Sequence, residues 1–264
     1  MLHRRSVTVA LSLVFSLLLG AVPASAQSVA SVVSDMQSVY DRQMETVDTY
    51  IVETNLYTSY HQKDMGDDGP TYRTQTRLKG TDASSFAANT TPSAAYGLQF
   101  DRLKQHATYA GTEAIDGVRC HILQVDNPSA VNPNVEENAT SMTYYIDAER
   151  HVPARMVVET AASDSQEANP SSVTVRFKRY ETTDGLTLPH RMEIQLNANI
   201  SDKQRQQMQQ MMEKMEQLPE QQRKQMEQMM GDQMNMMKQI MSGDPIAIEV
   251  QSVQVNVELP GDVF

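Results

Sequence analysis

Two periodicities divide the chain. Over residues 28–47, apolar side chains at Val29, Val32, Val33, Met36, Val39 or Tyr40, Met44 and Val47 recur at helical spacing, with Ser, Asp, Gln and Arg on the other side. This predicts an amphipathic helix that must lie against something apolar. From Thr49 the period becomes two. Residues 49–60, TYIVETNLYTSY, alternate and are rich in β-branched and aromatic residues, and a second strand is predicted over 71–80, the pair forming a hairpin with a long polar tip, DMGDDGP. The next stretch, TDASSFAANTTPSA, reads as loop, and AAYGLQFDRLKQ as a short helix begun after Pro92.

Three hairpins follow. ATYAGTEAI and VRCHILQVD flank Asp116-Gly117, SMTYYID and VPARMVVET flank AERH, and SVTVRFKRYE and LTLPHRMEIQLN flank a turn holding Asp184-Gly185. In the last segment, IAIEVQSVQVNVEL, apolar residues stand at 246, 248 and 250 and then at 253, 255 and 257. That slip of one residue requires a bulge near Gln251 and Ser252 if one face is to stay inward, and bulges bend sheets. About nine strands in hairpin order predict an α+β fold, a curved antiparallel sheet forming an incomplete barrel with the amphipathic helix on its concave side.

Between the last two strands the pattern turns helical again. Residues 208–241 hold 11 of the 18 methionines. Met208, Met211, Met212, Met215 and Leu218 form one stripe, and Met226, Met229, Met230, Met234, Met237 and Met241 a second. Pro219 suits the first turn of a new helix and Gly243 its end, so residues 201–242 read as a Met/Gln-rich helical hairpin inserted on or near the concave side. Three uses of the stripes stand open. They can pack on each other or on the sheet. They can form a lid or entrance for an apolar ligand, through Met208, Met211, Met215, Met226, Met230, Met234 and Met237, because methionine repacks around irregular partners. In the third use, thioethers of Met234, Met236 and Met237 in MGDQMNMM hold Cu(I), although every methionine but Met236 already fits a packing stripe.

The N-terminus sets the compartment. MLHRR is a basic segment, VTVALSLVFSLLLGAV an apolar one, and ASA precedes Gln27, which together predict a signal peptide over 1–26 cut between Ala26 and Gln27. Residues 27–264 then form one exported domain without a lipid-bearing cysteine at its start. A net charge of -11 disfavours nucleic acid and anionic membrane as the main partner. The lone cysteine, Cys120, lies in an apolar run and reads as a buried structural thiol rather than a reactive one.

Catalytic patterns are wanting. His61, His106, His121, His151 and His190 are scattered singly, His121 and His190 on strand patterns and the others at strand ends or turns, where ordinary surface or satisfied histidines are expected. Asp64, Asp67 and Asp68 fit no EF-hand spacing, and Asp67-Asp68 and Glu136-Glu137 lie in polar loops. No nucleophile elbow, phosphate loop or dinucleotide fingerprint occurs. With inward positions read as Ile, Val, Leu and Tyr, neither an enzyme nor a cofactor is expected.

The order of signal peptide, amphipathic helix, VDTYIVETNLY, IDGVRCHILQVD, YYIDAERHVPARM, YETTDGLTLPHRMEI and the terminal VNVELPGDVF resembles the LolA-like outer-membrane lipoprotein-sorting proteins. The resemblance covers most of residues 28–264 apart from the Met-rich hairpin, which departs from the family pattern. It implies an incomplete barrel closed by helices, whose apolar interior receives acyl chains of lipids or lipoproteins in the periplasm, between a membrane-protein donor and an acceptor. It carries over no catalytic or ligand residue. A sensor or interaction protein of the same fold is the alternative, and pairing of two chains through the Met stripes leaves a dimer open.

Overall fold

The computed structural model describes residues 27–66, 69–79, 99–132, 135, 138–161, 171–197 and 242–264. Chain order is α1 (Val29–Thr46), β1 (Thr49–Thr54), β2 (Tyr57–Gly66), β3 (Gly69–Leu78), α2 (Phe100–His106), β4 (Ala107–Ile115), β5 (Val118–Val125), α3 (Pro128–Val131), β6 (Ala139–Asp147), β7 (Pro153–Thr160), β8 (Ser171–Thr183), β9 (Leu186–Asn197) and β10 (Ile246–Val255). The strands form one antiparallel sheet in the order β3-β2-β1-β10-β9-β8-β7-β6-β5-β4, open because β3 and β4 do not pair with each other. The helix before the sheet starts on a reciprocal cap: the Ser28 hydroxyl accepts from the Ser31 amide at 3.2 Å, and the Ser31 hydroxyl accepts from the Ser28 amide at 3.1 Å.

The hairpins fall where turn chemistry puts them. Asp116-Gly117 and Asp184-Gly185 both have two left-handed residues, with φ of 49° and 84° and of 47° and 87°, as a tight two-residue turn between twisted strands demands. Gly185 also approaches α1 so closely that a Cβ there would lie 2.9 Å from Thr46 Oγ1.

The expected bulge is present. Glu53 pairs with Ser252 and Thr54 with Val250, leaving Gln251 as the extra residue. At the same place β10 changes partner: residues 246–249 pair with β9, and residues 250–255 pair with β1.

Two expectations need correction. The run 49–60 is two strands, not one, because the chain turns at Asn55 and Leu56, and the sheet therefore has ten strands. The Thr54 hydroxyl holds this turn, accepting from the amides of Leu56 and Tyr57 at 3.1 and 3.0 Å. The long polar tip is also shorter than expected, since Asp64 pairs with Thr71, Met65 with Pro70 and Gly66 with Gly69. Ladder bonding there outweighs the low strand propensity of Asp, Gly and Pro. The short helix α3, opened by Pro128 at its first turn, carries too few residues to show a period in the sequence. The expected signal peptide at 1–26 and all of the expected Met-rich hairpin at 201–242 except Ser242 lie outside the described residues.

Candidate ligand-binding face

Alternation assigns each strand residue to a face, and cross-strand partners share it. One face is apolar almost throughout. Met142, Tyr144 and Ile146 of β6 and Leu123 and Val125 of β5 pack with Val32, Val33 and Met36 of α1, Leu103 of α2 and Val131 of α3. At the far end of the helix, Val47 packs with Tyr50 and Val52 of β1 and Leu186 and Leu188 of β9. The helix stripe expected from the sequence therefore meets the inner face at both ends.

A third cluster lies on β7 to β10 and the start of β2. Tyr57, Val175, Phe177, Met192, Ile194, Ile246 and Ile248 come together, with Leu56, Leu78, Met156, Val173, Tyr180 and Leu196 around them. All are strand or turn residues, and among the described residues none of α1, α2 or α3 joins them. The register explains the grouping, because Met156 faces Val175, Val175 faces Ile194, and Ile194 faces Ile246 across four successive strands. The result is a continuous apolar face across the middle of the sheet.

The opposite face of the same strands is ionic. Lys178 and Arg191 each hold Glu193 at 2.8 Å, Arg179 holds Glu249 at 2.8 Å, and Arg191 reaches Glu249 as well. These pairs keep the Glu193 carboxyl below its usual range, chiefly through the Lys178 hydrogen bond. Alternation thus separates charge from the apolar side strand by strand.

Polar groups on the inner side are neutral and mostly satisfied. His61 is fully buried in β2; its Nδ1 lies 2.9 Å from Thr74 Oγ1 and its Nε2 3.0 Å from Ser59 Oγ, and its ring stacks on Tyr50 at 4.0 Å. Burial alone pushes its pKa down to about 3, so it carries no charge at neutral pH. Tyr72 edges onto Tyr50 and donates its hydroxyl to the Val47 carbonyl at 2.7 Å. Nearer α1, Tyr109 and His121 join through the phenol oxygen and Nδ1 at 3.1 Å, and burial lowers the His121 pKa too.

The Ser59–His61–Thr74 group is a constellation that the sequence reading missed, and it corrects the placement of His61 at a strand end and the expectation of an all-apolar interior. A signal existed: once the chain turns at 55–56, Tyr57, Ser59 and His61 share a face. Because both ring nitrogens are taken by hydroxyls and the residue has no exposure, the group can bind β2 to β3 but offers no open atom to a substrate.

The other histidines are dispersed. His106 ends α2 exposed, His151 sits in the β6–β7 turn with φ of 56°, and His190 Nδ1 lies 3.4 Å from Glu181. Cys120 is buried, and burial pushes its thiol up to about 11, which keeps it protonated. Gln27 is exposed ahead of α1, while Ala26 lies outside the described residues. So do Met208, Met211, Met215, Met226, Met230, Met234, Met236 and Met237. Among the described residues no group of three His, Cys, Asp or Glu could hold a metal ion, and no helix is long and apolar enough to cross a membrane.

No family model and no curated protein matches the chain. Among solved structures it is similar to a DUF1329 family protein from Desulfovibrio piger, with a TM-score of 0.45 and 12% identity over 88% of this chain and 95% of that one. A putative outer membrane lipoprotein-sorting protein domain from Vibrio parahaemolyticus gives a TM-score of 0.40 and 9% identity over 89% and 96%. A LolA superfamily protein from Nitrosomonas europaea gives 0.40 and 8% over 90% and 98%.

Proposed function

We propose that the chain is an exported, non-enzymatic carrier or binding protein for acyl chains of lipids or lipoproteins. The observation that carries this reading is the apolar inner face around Ile194, Ile246, Ile248 and Phe177, which the described helices leave to strand residues alone. An acyl chain suits it, being apolar, flexible and without hydrogen-bonding needs along its length. The signal-peptide pattern at 1–26 supports a periplasmic setting, and the sequence resemblance supports transfer between a membrane-protein donor and an acceptor. In this reading Met208, Met211, Met215, Met226, Met230, Met234 and Met237 close over the ligand, where a thioether surface can repack around chains of differing length.

Native mass spectrometry of the chain purified gently from a bacterial periplasm, with lipid analysis of an organic extract, tests it. Co-purifying acyl lipid that disappears on deletion of residues 201–242 is the expected result. An empty protein that also takes up no fluorescent fatty acid would overturn the reading. Replacing Met234, Met236 and Met237 by leucine should leave lipid uptake unchanged, because leucine keeps the apolar volume, whereas loss of stoichiometric Cu(I) binding would favour copper handling instead.

A further inference from the structure

The carrier reading leaves open what is attached to the acyl chain, and the buried polar groups bear on that. Among the described residues seven polar or charged ones are buried: Gln43, Thr54, Ser59, His61, His121, Asp147 and Thr174. Asp147 alone is an acid, and it serves its own hairpin, accepting from the Glu149 and Arg150 amides at 2.8 and 3.0 Å. The remaining groups are uncharged amides, hydroxyls and imidazoles. Thr54, Ser59, His61 and His121 all have partners in the sheet.

Gln43 differs. It lies one turn before Val47 on the sheet-facing stripe of α1, and only 5% of it is exposed. Its Oε1 accepts from the Thr187 amide at 3.4 Å, which fixes the orientation of the side-chain amide, since the reversed orientation would set two donors against each other. Its Nε2 is buried without any partner. Among the described residues two other buried nitrogens share that state, Arg155 Nε and His190 Nε2, but their side chains are 20% and 17% exposed. A buried donor left unmade is costly, so Gln43 Nε2 calls for an acceptor, which water or a ligand can supply. Along β9 alternation sets Leu186, Leu188, His190, Met192 and Ile194 on one face, which links the helix end beside Thr187 to the central apolar face.

We propose that Gln43 Nε2 receives the carbonyl oxygen of an uncharged acyl ester or amide whose chain lies on the central apolar face, so that the protein selects neutral acyl lipids over free fatty acids. The inference rests on the carrier reading. One neutral amide hydrogen satisfies a carbonyl. It does not compensate a carboxylate taken out of water, and no buried cation stands on the inner side among the described residues.

Displacement of N-phenyl-1-naphthylamine from the full-length chain at neutral pH, by methyl palmitate, palmitate and hexadecane, tests both layers separately. Methyl palmitate should displace the probe at least about tenfold more effectively than palmitate. Gln43→Met, which keeps the side-chain length without the donor, should weaken methyl palmitate about fivefold relative to hexadecane. Equal displacement by ester and carboxylate in the wild type would overturn the neutral-ligand inference and leave the carrier reading standing. Failure of all three, hexadecane included, would overturn the carrier reading itself. The ester-to-carboxylate ratio is read on the wild type and tests neutral-ligand selection even if Gln43→Met does not fold, while a folded Gln43→Met with unchanged methyl palmitate displacement would overturn the assignment to Gln43.

Discussion

His61 makes folding stability depend on pH in a way that can be worked out in advance. Its ring is fully buried, hydrogen-bonded to Ser59 and Thr74 and stacked on Tyr50, and burial holds its pKa at about 3 against an ordinary 6.5. Above pH 6.5 the imidazole is neutral in the folded and unfolded chains alike and adds no pH dependence. As pH falls below 6.5 the unfolded chain takes up a proton that the folded chain refuses, so stability declines until the folded ring itself titrates near pH 3. The slope is about 1.4 kcal/mol per pH unit, and the loss by about pH 5 is therefore about 2 kcal/mol. Urea unfolding followed by far-UV circular dichroism at about pH 7.5 and about pH 5 measures it, in the wild type and in His61→Gln. Glutamine retains a donor and an acceptor but does not titrate, so contributions from His121 and the carboxylates cancel in the comparison. The wild type should lose about 2 kcal/mol more than the variant. Equal losses, within about 0.5 kcal/mol, would refute the claim that a buried neutral imidazole fastens β2 to β3.

Two further outcomes follow from the same structure. Asn55 bridges the β1–β2 turn to β10, its Nδ2 donating to the Ala247 carbonyl at 3.1 Å and its Oδ1 accepting from the Glu249 amide at 2.8 Å; Asn55→Ala should cost about 1–2 kcal/mol in urea unfolding, and no cost would show that water replaces the bridge. Cys120, buried with its thiol pushed up to about 11, should react with a thiol-specific disulfide reagent at mildly alkaline pH only as fast as the chain unfolds, and at once in denaturant; rapid stoichiometric reaction of the folded chain would contradict its burial.

How far the fold could be read from the sequence depended on what each signal measured. Alternation gave the strands, Asp-Gly pairs gave the turns at 116–117 and 184–185, and the slip between Val250 and Val253 located the bulge at Gln251. The same reasoning applied to Thr54 and Tyr57 would have located the turn at Asn55, since Tyr50, Val52 and Thr54 are buried at even positions and Tyr57, Ser59 and His61 at odd ones. Nothing local marks Ser59, His61 and Thr74 as a group, because their meeting depends on the register of β2 against β3. Nor does the sequence single out Gln43. On the helix stripe it occupies an apolar position with a polar side chain, and only the approach of Thr187 to one end of its amide shows that the other end is free.

The bulge at Gln251 has a mechanical consequence for the proposed ligand face. Because β10 gives its first half to β9 and its second half to β1, the β1–β3 part of the sheet is joined to the rest along a single bent strand, reinforced by the Asn55 bridge. The central apolar cluster straddles this joint, with Tyr57 and Leu78 on one side and Met192, Ile194, Ile246 and Ile248 on the other. A second connection braces it. Asn256, in the left-handed conformation that asparagine tolerates, donates from Nδ2 to the Thr46 carbonyl at 2.9 Å and accepts the Asp48 amide on Oδ1 at 2.8 Å, tying the end of β10 to the end of α1. The other end of α1 is packed on β5 and β6, so the helix spans the inner face from one part of the sheet to the other. Bending at Gln251 would change the spacing of Tyr57 from Ile194 directly, while the Asn256 contacts and the packing of Val47 would oppose it. The joint between the two parts of the sheet therefore rests on Gln251, Asn55 and Asn256, none of which belongs to the apolar cluster itself.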